Sequence, residues 1–271
     1  MSNNMIKISL ITVTYNAEKV LMPTLESVFK QSYPAIEHII IDGVSTDSTA
    51  AMAKEYMERS FASDKGHEVR LLVEPDNGIY DAMNKGLGMA TGDYVCFLNA
   101  GDALHDEDTI ENLVKNTCVD SYITEDGGID KLPAVLYGNT DIVDESRTFL
   151  SHRRLAPPET LTWKSFKNGM LVCHQAFYAR ADIAKKMLFD TGYRFSADFD
   201  WCIRIMKEAE GMNLPLVNAH IVLADYLKEG TTTKNHKASL KERFRIMANY
   251  YGLATTYLLH AWFVIRAVIK R

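Results

Sequence analysis

The sequence predicts an α/β fold: a mostly parallel sheet with helices on both faces, followed by a helical tail. Three observations lead there. Between residues 6 and 98, apolar runs of strand length alternate with stretches of helical spacing, the order that builds βαβ units with right-handed crossovers. Runs such as residues 36–41 read as apolar on both sides, as parallel strands covered on both faces require. Three of the runs end abruptly in polar residues, as expected where strand ends open onto a ligand crevice.

The elements follow in order. Residues 6–14 form a β-branched first strand ending at Tyr15-Asn16, and residues 17–31 have helical spacing (Val20, Leu21, Leu25, Val28, Phe29). After Pro34, residues 36–41 make the second strand, which ends in Asp42-Gly43-Val44-Ser45-Thr46-Asp47. Ser45 or Thr46 is placed to cap a helix running to about Ser60. Residues 69–73 are a third strand, 79–90 a helix and 94–98 a fourth strand that runs into Asn99-Ala100-Gly101-Asp102. A helix is expected from about Asp106, with three acids favouring the positive end of its dipole, and then a polar surface loop over 117–131. Residues 135–142 and 143–150 read as strands and Pro157-Pro158 as an irregular link. Further strands are expected at 170–178 and 216–223, with helices from Asp182 and over 199–209.

The chain of 271 residues is long enough for one large domain, or one domain with an appendage. Its 47% hydrophobic and 24% charged residues are ordinary for a globular protein, and a net charge of −5 argues against a nucleic-acid binder. The charge is unevenly spread. From Leu227 onward nine Lys/Arg face two acids, a surplus of seven that leaves −12 on the first 226 residues. The domains are therefore drawn at 1–226 and 227–271. Four scattered cysteines without a Cys-x-x-Cys pair suit free thiols in a cytoplasmic setting. The N-terminus carries no signal-peptide pattern and no stretch is apolar enough for a membrane span.

Several residues carry candidate chemistry. In a parallel sheet the ends of strands one, two and four converge, which brings Thr14-Tyr15-Asn16, Asp42 and Asn99–Asp102 together. Tyr15 offers a ring for stacking a base, and Asp42 an acceptor for a base N–H. An aspartate directly after an apolar strand has no local capping need, whereas Asp47 reads as a turn and cap residue. Asp102 is placed to hold a Mg²⁺ or Mn²⁺ that neutralises a diphosphate, the competing reading being a simple Gly-Asp turn. Asp198 and Asp200 lie at a helix start, where acids also serve the amides and the dipole; Asp198 as a general base stands beside that reading. His174 has two readings, phosphate contact or structure. The Gly86-x-Gly88-x-x-x-Gly92 pattern has the wrong spacing for a dinucleotide fingerprint, and no Gly-x-x-x-x-Gly-Lys-Ser/Thr loop occurs, which removes most kinases and ATPases.

These motifs, in this order, strongly resemble the family 2 glycosyltransferases: Thr14-Tyr15-Asn16, Ile41-Asp42-Gly43-Val44-Ser45-Thr46-Asp47, the run from Asn77 to Gly86, the run from Gly92 to Asp102, and Ala197-Asp198-Phe199-Asp200. The resemblance spans about residues 6–223 and is nearest the branch that builds bacterial capsule, exopolysaccharide or O-antigen. It implies the GT-A fold, a Rossmann-like sheet, and an inverting enzyme that moves a sugar from a nucleotide-diphosphate donor, UDP-sugar foremost, to a hydroxyl of a glycan or polyprenol-linked acceptor. It implies that Tyr15 and Asp42 hold the base, that Thr14, Asn16, Asn77, Asn84, Lys85, Asn99 and His174 complete the donor site, that Asp102 binds the divalent metal and that Asp198 is the base. Two departures stand out. The usual Asp-x-Asp is reduced to Asn99-Ala100-Gly101-Asp102, and the usual Glu-Asp pair is Ala197-Asp198. A sugar-nucleotide pyrophosphorylase and a catalytically inactive nucleotide- or glycan-binding module are the alternatives.

The tail reads separately. A basic stretch over 234–245 precedes an aromatic and aliphatic run over 250–269. That combination suits a helix lying in an anionic membrane interface, and equally a helix packed on the domain or in a homodimer. Gly230–Thr233 is a candidate loop closing over the donor.

Overall fold

The computed structural model describes residues 5–123, 131–228 and 236–269. Four strands, β1 (Ile8–Thr14), β2 (Ile36–Asp42), β3 (Glu68–Val73) and β4 (Tyr94–Phe97), alternate with α1 (Leu21–Phe29), α2 (Thr49–Phe61) and α3 (Ile79–Met89). They lie in the order β3-β2-β1-β4 and pair in parallel throughout. Alternation along β2 sets the two layers. Ile40 packs with Leu21 and Leu25 of α1 and Ala53 and Tyr56 of α2, whereas Ile39 and Ile41 join the main core on the other face with Met83 and Leu87 of α3. Each such aliphatic side chain contributes about 1.5–3 kcal/mol when fully buried. Gly86 allows α3 its approach, because a Cβ there would overlap the Ile11 side chain. Gly86, whose spacing to Gly88 and Gly92 does not fit a dinucleotide fingerprint, is a packing glycine.

β2 is not apolar on both sides as read. Glu37 and His38 are fully buried in it. Glu37 accepts from Ser9 Oγ (2.6 Å) and the Thr91 backbone N–H (2.8 Å), and His38 is bonded by Thr12 and Tyr56 at 2.9 Å each. Burial drives the His38 pKa down to about 3, so the ring is neutral.

The second half of the sheet is mixed. β8 (Phe177–Arg180) enters antiparallel between β4 and β6 (Val135–Val143); β9 (Leu216–Leu227) runs parallel to β6; β5 (Ala103–Leu104) and β7 (Phe149–His152) pair antiparallel at the flank. The parallel character the sequence predicts is thus concentrated in β1–β4. Antiparallel neighbours need no helical crossover, and β8 is reached without one.

Several boundaries differ from expectation for identifiable reasons. Residues 170–176 are not strand: the Arg153 guanidinium takes the carbonyls of Met170 (2.7 Å) and Leu171 (3.3 Å), and His174–Ala176 form a 3-10 turn ahead of β8. The helix expected from Asp106 begins later, as α4 (Thr109–Thr117), after Asp106 folds back onto Asp108 and Thr109. Residues 144–148 form the turn between β6 and β7, built on the Asp144 carboxylate.

After the short α5 (Ala181–Ala184) come α6 (Ala197–Gly211), which starts at the catalytic candidates, and then α7 (His236–Tyr251) and α8 (Leu253–Ile269). β9 extends to Leu227, across the 226/227 boundary. α7 packs on the domain: Glu242 accepts the Arg194 and Phe195 N–H groups (2.9 and 2.8 Å), and Tyr250 donates to Asp200 (2.8 Å). Ile246 and Met247 are buried there. Gly252, at φ 83°, turns the chain into α8. Among the described residues no helix is long and apolar enough to cross a membrane. The loop guess at Gly230–Thr233, the start of the basic stretch at Lys234 and the middle of the 117–131 loop lie outside the described residues.

Candidate active site

The parallel register puts Thr14 opposite Asp42 and Ile11 opposite Phe97, so the ends of β2, β1 and β4 form one edge. At the β1/β2 end, Thr14 Oγ1 donates to Asp42 Oδ2 (2.9 Å), and Ser45 donates its N–H to Oδ1 (2.8 Å) and its hydroxyl to Oδ2 (2.6 Å). Asp42 is fully buried. It ties down a loop in which Val44 takes φ 62°, a costly conformation for a β-branched residue that surrounding bonds must enforce. Asn16, also left-handed, accepts the Thr46 N–H at 2.9 Å. The reading that Asp42 has no local capping need fails here, since it takes the Ser45 N–H and hydroxyl. Asp47 behaves as read, accepting from Thr49 N–H and hydroxyl. Tyr15 is 65% exposed on this rim, with Gly43 and the Asp76 carboxylate close to it. Asp76 carried no sequence signal beyond an ordinary turn residue.

The second cluster joins β4 to α6. Asp198, in the first turn of α6 and 8% exposed, accepts from Tyr80 OH through Oδ1 (3.1 Å) and lies 3.1 Å from His174 Nδ1 through Oδ2. His174 Nε2 lies 3.0 Å from Asn99 Nδ2. The ionised Asp198 carboxylate can only accept, so His174 carries a proton on Nδ1 and gives it to Asp198. Burial pulls the Asp198 carboxyl up, but the His174 hydrogen bond and charge, the Arg243 charge and the Phe199 N–H outweigh it, and its pKa lies below the ordinary carboxylate value. Burial, reinforced by the Asp198 charge, holds the Tyr80 phenol well above its usual value.

Asp102 is 5% exposed. Gln175 Nε2 donates to its Oδ2 (2.6 Å) and the Leu227 N–H to its Oδ1 (3.0 Å). Thr24 fixes the loop from beneath, donating to the Asp102 carbonyl (2.6 Å) and accepting the Gly101 N–H (3.0 Å). Burial pushes the Asp102 pKa up to about 6 against the opposing Leu227 and Gln175 bonds and the His174 and Arg147 charges. A buried carboxylate so raised is one that a cation would favour. The oxygens Gln175 Oε1 and Asn99 Oδ1 are buried without a hydrogen-bond partner among the described residues. One carboxylate with neutral oxygen donors fits a Mg²⁺ or Mn²⁺ that draws its remaining ligands from phosphate and water. No group of three His, Cys, Asp or Glu gathers as a metal cage among the described residues.

The other expected donor residues are placed as follows. Asn77 bonds Asp81 at the start of α3. Asn84 exchanges two hydrogen bonds with the Phe189 backbone, and Lys85 bonds the Pro75 carbonyl and pairs with Glu74 (2.8 Å). These last two are committed to loop packing, apart from the carboxylate clusters. Tyr80 and Gln175 were not singled out in the sequence; Asn77, Asn84 and Lys85 of the same motif as Tyr80, and His174 beside Gln175, were named instead. All four cysteines are free.

The fold is shared with solved structures. Staphylococcus aureus TarS (residues 1–349) superposes with a TM-score of 0.64 at 16% identity, over 93% of this chain and 69% of that one. The mannosyltransferase PcManGT of Pyrobaculum calidifontis, solved with GDP-Man and Mn²⁺, gives 0.59 at 15% identity, over 96% and 75%. The fold is GT-A, as the motifs implied. The family model described as glycosyl transferase family 2 matches residues 9–187, and the chain belongs to that family. It is 32% identical over 225 residues to the PGL/p-HBAD biosynthesis glycosyltransferase of Mycobacterium tuberculosis (82% of this chain, 77% of the relative). To the amylovoran biosynthesis glycosyltransferase AmsB of Erwinia amylovora it is 28% identical (80% and 70%). It is a glycosyltransferase, which sets aside the pyrophosphorylase and inactive-module alternatives.

Proposed function

We propose that this enzyme transfers a sugar, with inversion, from a UDP-sugar to a hydroxyl of a glycan or lipid-linked acceptor in surface polysaccharide synthesis. The observation that carries this is the meeting of Asp102 and Asp198 at one sheet edge, each held by one of two consecutive residues, Gln175 and His174. Asp198 accepts the acceptor hydroxyl proton as that oxygen attacks the anomeric carbon, and the bond to the diphosphate breaks on the opposite face. His174, donating to Asp198, and Tyr80 keep the carboxylate ionised and aimed. Asp102 would hold a divalent cation, which supplies charge neutralisation for the diphosphate. Tyr15 stacks the base, and Asp42 and Asn16 hold the loop beside it.

The names of similar proteins support this reading. AmsB acts in amylovoran biosynthesis, and TarS has been solved with UDP and with UDP-GlcNAc. Thermal-shift screening against UDP-, GDP-, ADP- and dTDP-sugars with Mn²⁺ tests the donor assignment; stabilisation by GDP- or dTDP-sugars alone overturns it. The stereochemistry of the product, read by NMR of its anomeric proton, tests inversion. We also assign the exposed face of α8 to contact with an anionic membrane surface, which would bring the enzyme to a lipid-linked acceptor on the cytoplasmic side.

A further inference from the structure

The β6–β7 turn brings a cation to the Asp102 loop that no motif announces. Asp144 builds this turn, accepting from the Ser146 N–H, the Ser146 hydroxyl and the Thr148 N–H at 2.7–2.9 Å. Arg147 sits in it at φ 65°, a conformation unusual for arginine and fixed by those bonds. Its Nη1 donates to the carbonyl of Gly101 (2.7 Å), the residue before Asp102. Its Nη2 is buried, makes no hydrogen bond among the described residues, and lies 3.8 Å from Asp225 Oδ2. One arm of the fork is therefore anchored beside Asp102 while the other has donors to spare. A guanidinium in that state keeps unspent N–H donors that phosphate oxygens can take up.

We propose that Arg147 is a donor-binding residue that contacts the diphosphate next to Asp102. The inference rests on the nucleotide-sugar reading above and adds a residue to it.

The test is isothermal titration of the full chain, in Mn²⁺, with UDP, GDP, ADP and CDP, and with the nucleoside matching the diphosphate that wild type binds tightest. Arg147→Met should weaken the diphosphate at least about ten-fold and leave the nucleoside unchanged, since lost hydrogen bonds to a charged group cost that much. Arg147→Lys, which keeps the charge without the fork, should fall between, and it carries the test if the Met variant does not fold. An unchanged preference for diphosphate over nucleoside overturns the assignment, as does an equal loss for both ligands, which marks Arg147 as a scaffold residue. If wild type binds no nucleoside diphosphate at all, the nucleotide-sugar reading itself fails, and the Arg147 assignment with it.

Discussion

Gln175 donates from Nε2 to Asp102 Oδ2 over 2.6 Å while its own Oε1 stays buried without a partner. The amide thus marks a carboxylate that is out of water and short of compensation. Burial raises the Asp102 pKa to about 6. As pH falls through that value the group takes a proton and loses its affinity for a cation, while Asp198, held below the ordinary carboxylate value, remains ionised. The acid limb of the transfer rate should therefore lie near pH 6 and move to lower pH as Mn²⁺ is raised, because metal and proton compete for one site. A limb that stays put between low and saturating Mn²⁺ would contradict the metal assignment.

The same shift has a sign for stability. A carboxyl whose folded pKa lies above its unfolded value of 3.8 binds protons more tightly when folded, so its contribution falls as pH rises between 3.8 and about 6. The charged form then costs at most about 3 kcal/mol at neutral pH. Asp102→Asn should be at least as stable as wild type at pH 7.5 in EDTA, with any advantage gone near pH 4. Gln175 can turn its amide and accept from the new Nδ2. Mn²⁺ should raise the melting temperature of wild type only. A variant that melts well below wild type at pH 7.5 without metal would show that the carboxylate is structurally needed.

Asp198→Asn keeps an acceptor for the His174 N–H, and the Tyr80 hydroxyl can turn to accept from the new Nδ2, so the fold and the donor site should survive. Transfer should drop about 10²–10⁴-fold, the usual share of a general base, with donor affinity within a factor of two. His174→Ala should cost less in rate, and it should move the acid limb upward, since Asp102 loses the His174 charge that opposes the effect of its burial. Near-wild-type turnover of Asp198→Asn, measured with saturating donor, would remove Asp198 from the chemistry.

The sequence made β1–β4 legible because each strand end coincides with a change from apolar to polar residues, and that edge is where the site lies. It placed β8 too early, at 170–178, since Arg153 takes carbonyls of the preceding segment that would otherwise serve a ladder; a side chain 17 residues away leaves no periodic trace. Asp102 and Asp198 were readable as strand-end and helix-start acids. Gln175 and Tyr80 were not, because a buried amide and a buried phenol look like core until the carboxylates they hold are in place. Asn84 and Lys85 sit inside a well-matched motif, yet their polar groups serve the Phe189 backbone and the Pro75–Glu74 loop. A motif match does not by itself separate contact from support.

The tail offered two readings, and one helix face serves the first. Thr256 is buried, with Leu259 and Phe263 partly buried against the core. On the other side Tyr257, Leu258, Trp262 and Ile265 are exposed, Leu258 by 73%. Lys241 and Arg245 are exposed on α7, three residues before and one after Phe244, whose ring lies 5.0 Å from that of Tyr257. Apolar side chains flanked by cations match an anionic lipid surface, where each Lys or Arg contributes about 1 kcal/mol. Point substitutions are the right probe, because cutting the chain at residue 226 would remove the Leu227 N–H that holds Asp102. Full-length enzyme should float with vesicles containing phosphatidylglycerol and not with pure phosphatidylcholine. Leu258→Ser with Trp262→Ser should abolish flotation while soluble transfer activity stays unchanged. Sedimentation of the wild type as a dimer that the double variant converts to monomer, with no flotation of either, would instead assign this face to a second copy of the chain.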